Sequence, residues 1–140
     1  MDRLDMAGHL IRRLQQQSTQ VFQVQMQAAG FDLTSVQFAA LDAIAVQPSI
    51  DQAGLAATIG FDRATIGGVV DRLELKGLVQ RVVSPQDRRA RMLYLTPQGQ
   101  AQLRASRPVV EGLQTGILGA LSPSEQQTFM RLARKALDLG

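Results

Sequence analysis

The sequence has no cysteine and a single histidine among its 140 residues. Without cysteine the chain has no disulfide framework, no thiolate zinc site, no catalytic thiol and no thiol redox switch. One histidine argues against a histidine-rich metal centre. We therefore expect no catalytic residues, no bound metal and no cofactor.

Long apolar runs and targeting signals are also missing. No apolar stretch approaches the roughly 20 residues that a membrane span needs. The first residues, MDRLDMAGHLIRR, carry scattered charges and lack the apolar core of a secretory signal. The chain contains no phosphate-binding loop, no G-x-G-x-x-G and no pair of carboxylates in apolar surroundings. These features predict a soluble cytoplasmic protein that is not an enzyme and does not bind membranes.

The composition suits one globular domain rich in arginine. Hydrophobic residues make up 45% of the chain and charged residues 19%, which is enough to build a core. The formal net charge is only +3. Lysine occurs only at Lys76 and Lys135, so arginine supplies all the other basic side chains. Since the arginine fork suits phosphates and guanine edges, the type of base is more informative than the net charge.

Hydrophobic periodicity and capping motifs predict a series of helices. Apolar residues recur at spacings of three and four over residues 3–29, which indicates one long helix ending at Gly30. Residues 34–37 (TSVQ) and 49–52 (SIDQ) are typical of capping boxes. Asp62 can cap the helix that follows.

A helix-turn-helix and a hairpin are predicted in the middle of the chain. Residues 59–62 (IGFD) form a short glycine-containing turn between two short helices, as in a helix-turn-helix. The β-prone runs 78–83 and 92–95 flank the polar loop 84–90. This pattern predicts a two-stranded hairpin, or wing, attached to the helix-turn-helix.

Two further helices are predicted after the hairpin. Thr96 and Pro97 provide an N-cap and a first helical residue, and Pro108 should bend or break that helix. Residues 122–125 (SPSE) form a capping box that begins the last helix. The fold class is therefore mainly α with a small β-hairpin wing.

The helices at both ends carry apolar stripes that need a cover. A dimer interface is the simplest cover, and a compact monomer with a long bent last segment is the alternative. We predict a single domain, residues 1–140, in which a winged helix-turn-helix region spans 34–96. Residues 1–30 and 97–140 would then be dimerisation helices.

The order of elements and two motifs resemble the MarR (multiple antibiotic resistance regulator) family of bacterial transcription factors. Residues 87–96 (DRRARMLYLT) look like the family's D-x-R wing motif ending in Leu-Thr, and Gly99 follows. Residues 62–65 and 69–79 resemble the recognition helix and its exit. The resemblance implies a homodimer whose terminal helices intertwine and whose wings flank a palindromic operator on double-stranded DNA. Family members mostly repress, and many release DNA when a small phenolic or aromatic acid binds.

The first residues of a recognition helix meet the base edges in the major groove. In this chain they are Arg63, Ala64, Thr65 and Gly67. Gly67 and Gly68 depart from the common family pattern. Either they allow the backbone to approach DNA closely, or they satisfy a packing requirement against the preceding helix.

The predicted wing carries four arginines and one carboxylate. We expect Arg89 to enter the minor groove, where narrow A·T-rich tracts attract arginine, and Asp87 to orient it or brace the loop. Arg88 and Arg91 would hold phosphates, and Arg81 adds a fourth positive charge. The alternatives are a hairpin whose charges only prevent aggregation, or a winged helix that contacts proteins instead of DNA.

Three other polar residues are candidates for phosphate contacts, of which Ser35 and Gln37 are the weaker. Arg72 either reaches a phosphate or pairs locally with Asp71 or Glu74. Ser35 and Gln37 lie near the start of the second helix, where capping already explains both.

A candidate effector site involves the first helix. His9 and Arg13 lie four residues apart and share a face, so they can hold a carboxylate together. Acid-sensing family members place the ligand between this helix, the second helix and the helix after the wing, which implies that Phe38 lines the site, with Met6 or Gln17. The alternative is that His9 and Arg13 are ordinary exposed residues or dimer contacts. The missing cysteine excludes the thiol-based peroxide sensing of some family members.

Overall fold

The computed structural model describes residues 3–140, which form six α-helices and one two-stranded antiparallel hairpin. The elements are α1 (Ala7–Ala28), α2 (Ser35–Val46), α3 (Gln52–Ile59), α4 (Arg63–Leu75), β1 (Val79–Val83), β2 (Arg91–Leu95), α5 (Pro97–Ile117) and α6 (Pro123–Ala136). This order confirms the predicted helical fold with a wing. In this described part, no helix is both long and apolar enough to cross a membrane.

Side-chain caps begin most of these helices where the sequence predicts them. Thr34 and Ser122 form full capping boxes at the starts of α2 and α6. The Asp62 carboxylate accepts a 2.7 Å hydrogen bond from the backbone N–H of Thr65 at the start of α4. This hydrogen bond lowers the pKa of the Asp62 carboxyl, which favours the charged form of the cap.

The predicted cap at Ser49 is wrong. Asp51 caps α3 instead, and its carboxylate accepts a 2.7 Å hydrogen bond from the backbone N–H of Gly54. Ser49 has a φ of 71°, and its N–H donates to the Leu93 carbonyl at 3.1 Å. The Leu93 N–H donates in turn to the Ile50 carbonyl at 2.9 Å. Ser49 therefore lies in a left-handed turn, Asp51 forms an isolated bridge to Met92 of β2, and the helix begins two residues later than predicted.

Two other helix boundaries differ from the prediction. The first α-helix begins at Ala7, because a separate 3-10 turn occupies Arg3–Asp5. The helix α5 continues through Pro108, so of the bend or break predicted there, the break is wrong. An interior proline removes one backbone donor and crowds the carbonyl four residues earlier, which costs about 3 kcal/mol. The buried side chains of Leu103 and Val110 hold both halves of α5 against the core.

One apolar core joins α2, α3, α4, α5 and the hairpin. Only the C-terminal half of α1 reaches it, through Phe22 and Met26, and α6 buries no residue at all. Large apolar side chains therefore remain exposed on α1 and α6 of the single chain. They include Leu10, Ile11, Met130 and Leu132.

The junction between the hairpin and α5 depends on Gly99. The Thr96 hydroxyl donates to the Gly77 carbonyl at 2.6 Å and accepts from the Gly99 N–H at 3.0 Å, while the Thr96 N–H donates to the Leu78 carbonyl at 3.1 Å. A Cβ at Gly99 would overlap the Leu78 carbonyl oxygen and lie 3.0 Å from its carbonyl carbon. The Leu-Thr-x-x-Gly motif thus packs the first turn of α5 directly on the chain that enters the wing.

Candidate nucleic-acid interface

The helix α4 has one buried face and one exposed face. Its buried residues are Ile66, Val70 and Leu73. The exposed residues include the predicted contacts Arg63, Ala64, Thr65, Gly68 and Arg72. Because residues four apart lie above one another on a helix, Ala64, Gly68 and Arg72 form one outward row.

Gly67 and Gly68 are not required by packing inside the described chain. A Cβ added at either glycine would meet no atom of the described residues within 4 Å. The explanation by packing against the preceding helix is therefore wrong. The pair costs about 2 kcal/mol of helix propensity relative to alanine. The two glycines leave the first turns of α4 without side chains at these positions, so another molecule can approach the backbone there.

Both acidic neighbours of Arg72 are occupied by an arginine from the hairpin. The Arg81 guanidinium forms ion pairs with Asp71 and with Glu74, the latter at 3.1 Å. Its hydrogen bonds to Glu74 and Asp71 raise its pKa further. Arg72 itself forms no ion pair within residues 3–140 and is exposed. Local pairing of Arg72 is thus wrong, and Arg81 is not one of the free wing cations.

The wing loop is braced by its own polar groups. The Asp87 carboxylate accepts a 3.0 Å hydrogen bond from the backbone N–H of Arg89, and the buried Ser84 hydroxyl accepts from the Asp87 N–H at 3.3 Å. The Arg91 guanidinium donates to the Arg88 carbonyl at 2.8 Å. Asp87 therefore braces the loop through the backbone of Arg89. The guanidinium groups of Arg88 and Arg89 are exposed and make no ion pair within the described chain.

Weaker candidates for phosphate contacts and for the effector site are partly occupied by structural roles. Gln37 is buried, and its side-chain oxygen accepts a 3.0 Å hydrogen bond from Lys76 as well as capping α2. Gln17, a candidate wall of the effector site, donates to the Ile117 carbonyl at 2.6 Å and so fixes the end of α5. Ser35 is half-buried in the first turn of α2.

Phe38 lies where α1, α2 and α5 meet. Its ring packs against Phe22 with a centroid distance of 6.4 Å, and the Arg107 guanidinium lies 5.8 Å from the Phe38 centroid. Arg107 also pairs with Asp42, and this hydrogen bond raises the pKa of the guanidinium. Arg107 is absent from the predicted set, although its position three residues before the buried Val110 places it beside the core face of α5.

His9 and Arg13 lie towards the other end of α1. Phe22 is the α1 residue that contacts Phe38, and Arg13 precedes it by nine residues, about 13 Å along the helix axis. His9 is half-buried and Arg13 is exposed. In the part of the chain that the structure describes, no ion pair or hydrogen bond joins either of them to the Phe38 cluster.

Comparisons with known proteins agree with this geometry. A MarR family model matches residues 31–90. The transcriptional regulator HosA of Escherichia coli O111:H- is 37% identical over 132 residues, which cover 94% of this chain and 95% of HosA. The HTH-type transcriptional repressor NicR of Pseudomonas putida is 36% identical over 137 residues, which cover 98% of this chain and 85% of NicR.

A solved structure extends the likeness to the whole fold. The structure of Bordetella bronchiseptica BpsR, whose DNA binding is regulated by 6-hydroxynicotinic acid, matches with a TM-score of 0.87 and 30% identity. The match covers 99% of this chain and 97% of BpsR. From its sequence, its winged helical fold and these relatives, the chain belongs to the MarR family of transcriptional regulators.

Proposed function

We propose that the protein is a homodimeric repressor that binds a pseudo-palindromic DNA operator. One observation carries the proposal: α4 and the wing tip both expose guanidinium groups that no carboxylate of the described chain neutralises. These groups belong to Arg63, Arg72, Arg88 and Arg89. The names of two relatives point the same way, since NicR is a repressor and BpsR is a DNA-binding protein.

In this proposal the region 34–96 binds DNA, and residues 1–30 and 97–140 form the dimer. Arg63, Ala64, Thr65, Gly67 and Gly68 face the major groove. Arg89 enters the minor groove, while Arg72, Arg88 and Arg91 contact phosphates and Asp87 braces the wing loop. The exposed apolar residues of α1 and α6 support dimerisation, because burying them against a second copy removes them from water. A two-fold dimer requires half-sites about one helical turn apart.

Arginine substitutions test the interface directly. The probe is a duplex selected by the protein from a random-sequence DNA pool, which we expect to be enriched in an inverted repeat. Arg89→Ala should weaken binding of that duplex by about 1.4–3 kcal/mol, or roughly ten- to 150-fold, in gel-shift titrations at fixed salt. Arg63→Ala should cause a similar loss and relax base preference at one position of each half-site.

Arg104→Ala provides a matched control, because Arg104 is an exposed arginine of α5, outside the region 34–96. Since residues 97–140 are assigned to the dimer, light scattering first checks that this variant is still dimeric, and it should then leave the affinity unchanged. A pool from which no duplex is enriched, or equal affinities for the wild type, Arg63→Ala and Arg89→Ala, would contradict the proposed interface.

The glycine pair gives a second test with two opposite effects. Gly67→Ala and Gly68→Ala should each raise the free energy of unfolding by about 1 kcal/mol, because alanine favours the helix and its Cβ meets open space. Each should also weaken binding of the selected duplex, since the added methyl keeps the backbone away from DNA. Urea unfolding and gel shifts measure the two effects. Stabilised variants with unchanged affinity would show that close approach to DNA is not the reason for the glycines.

We further propose that a small aromatic carboxylate or phenolic effector releases the DNA. The likeness to BpsR supports an aromatic acid, because 6-hydroxynicotinic acid regulates that protein. Arg13 is exposed and unpaired within the described chain, so its guanidinium is free to hold a carboxylate together with His9. The half-buried Phe38 ring would provide an apolar wall; because it contacts α1 about 13 Å along the axis from Arg13, the ligand would have to lie between the two.

Calorimetry with benzoic and nicotinic acid derivatives tests this effector proposal. We expect one acid of the panel to bind, and Arg13→Ala to weaken that binding at least tenfold, because the paired charge is lost. Arg12→Ala is the matched control: it removes the neighbouring arginine from another face of the same helix. Equal binding by the Arg13→Ala variant would remove Arg13 from the effector site.

A further inference from the structure

Arg81 connects three elements of the winged helix-turn-helix through one guanidinium group. It extends from β1 to Asp71 and Glu74 on α4, and its second terminal nitrogen donates to the Gln52 side-chain oxygen on α3 at 2.9 Å. Its side chain is only 22% exposed. The two helices and the wing therefore meet at a side chain that is largely withdrawn from solvent.

The strand register explains why Arg81 points towards the helices. Arg81 pairs with Leu93 across the hairpin, and Leu93 is completely buried. Directly opposed residues project from the same face of a sheet, so Arg81 lies on the core side of the wing. Arg88 and Arg89 lie in the loop at the far end of the same hairpin.

This placement lets Arg81 connect the wing to α4 through polar contacts. An isolated two-stranded hairpin is marginally stable and takes its direction from what it packs against. On β2 the backbone of Leu93 bonds to Ser49 and Ile50, whereas on β1 the Arg81 side chain makes the polar contacts to α4. The planar arginine fork holds carboxylates at defined angles, which a single ammonium charge does not.

Arg81 also pairs with two carboxylates on the helix that is to enter DNA and offsets one of their two negative charges. Without it, Asp71 and Glu74 would be unpaired negative charges on α4 and would repel phosphates. The direction of the wing and the charge on α4 therefore both depend on the contacts of Arg81.

We propose that Arg81 is a positioning residue that sets the spacing between α4 and the wing tip, so that both grooves are engaged at once, without contacting DNA itself. The inference rests on the proposed DNA-binding function. It implies that the contribution of Arg89 to DNA affinity depends on Arg81. The contribution of Arg63, which lies on α4 itself, does not.

A double-mutant cycle on the duplex selected above tests this dependence. The substitution Arg81→Met keeps the aliphatic stem and removes the guanidinium. In the wild-type background Arg89→Ala should weaken binding at least tenfold, but in the Arg81→Met background less than threefold. The effect of Arg63→Ala should be the same in both backgrounds. Arg81→Lys should behave like Arg81→Met, because it restores the charge but not the fork.

The results separate this inference from the function on which it rests. Equal effects of Arg89→Ala in both backgrounds, or equal reductions in the effects of Arg63→Ala and Arg89→Ala, would overturn the positioning role. If Arg81→Met does not fold, the pair Asp71→Ala and Glu74→Ala removes both α4 acceptors of Arg81 from the helix side, and the same cycle applies. No effect of Arg63→Ala and Arg89→Ala alone would instead refute the proposed DNA interface.

Discussion

Replacing Gly99 with alanine is expected to lower the free energy of unfolding by about 3 kcal/mol, near the upper end of the usual range for overpacking. The added Cβ would overlap the Leu78 carbonyl oxygen. That carbonyl also accepts the Thr96 N–H, so it cannot move without loss of the bond that joins the wing to α5. Rigid backbone atoms lie on both sides of the contact, and no side chain can rotate away. Urea unfolding followed by circular dichroism measures the effect.

Gly112→Ala is the matched control for this prediction. Gly112 lies in the same helix and is exposed, and an added Cβ would meet no described atom within 4 Å. This variant should therefore be about 1 kcal/mol more stable than the wild type, as helix propensity predicts. Similar stabilities of Gly99→Ala and Gly112→Ala would show that the backbone at Leu78 can adapt.

Replacing Ile11 with glutamate is expected to separate the dimer and to weaken operator binding by a factor of about 100 or more. Ile11 is 64% exposed on the single chain and belongs to the apolar surface of α1. A carboxylate buried there without a partner would cost several kcal/mol at each two-fold related copy. The monomer would then hold one half-site alone and lose the gain from binding two linked sites.

Light scattering and gel shifts on the same samples test this second prediction. Gln16→Glu is the control, because it adds the same charge on the polar face of α1 and should leave the protein dimeric and active. A dimeric Ile11→Glu variant would exclude Ile11 from the interface. A monomeric variant with unchanged affinity would refute the need for a dimer in DNA binding.

The helices and the hairpin were predictable because their signals are local. Thr34, Asp62 and Ser122 cap helices through hydrogen bonds to residues three positions later, so neighbours in the sequence are also neighbours in space. The error at Ser49 has the opposite cause. Its backbone bonds to Leu93, which is distant in the chain, and this contact prevails over a favourable local capping pattern.

The candidate DNA interface was only partly predictable for the same reason. The sequence places Arg63 and Arg89 at the start of a recognition helix and in a wing loop. Composition alone does not distinguish free arginines from paired ones, so the sequence places Arg81 among the wing cations. The partners of Arg81 are Asp71 and Glu74, which only the packing of the hairpin on α4 brings within reach.

The amino-acid sequence by itself determined the order of the elements, most of the caps and the resemblance to a DNA-binding family, because these depend on residues close together in the chain. The tertiary structure decided which charges are free, why Gly99 must be glycine and why packing does not explain Gly67. It also brought Arg107 onto the Phe38 ring. Those features depend on contacts between distant segments, and such contacts exist only after the helices and the wing have packed together.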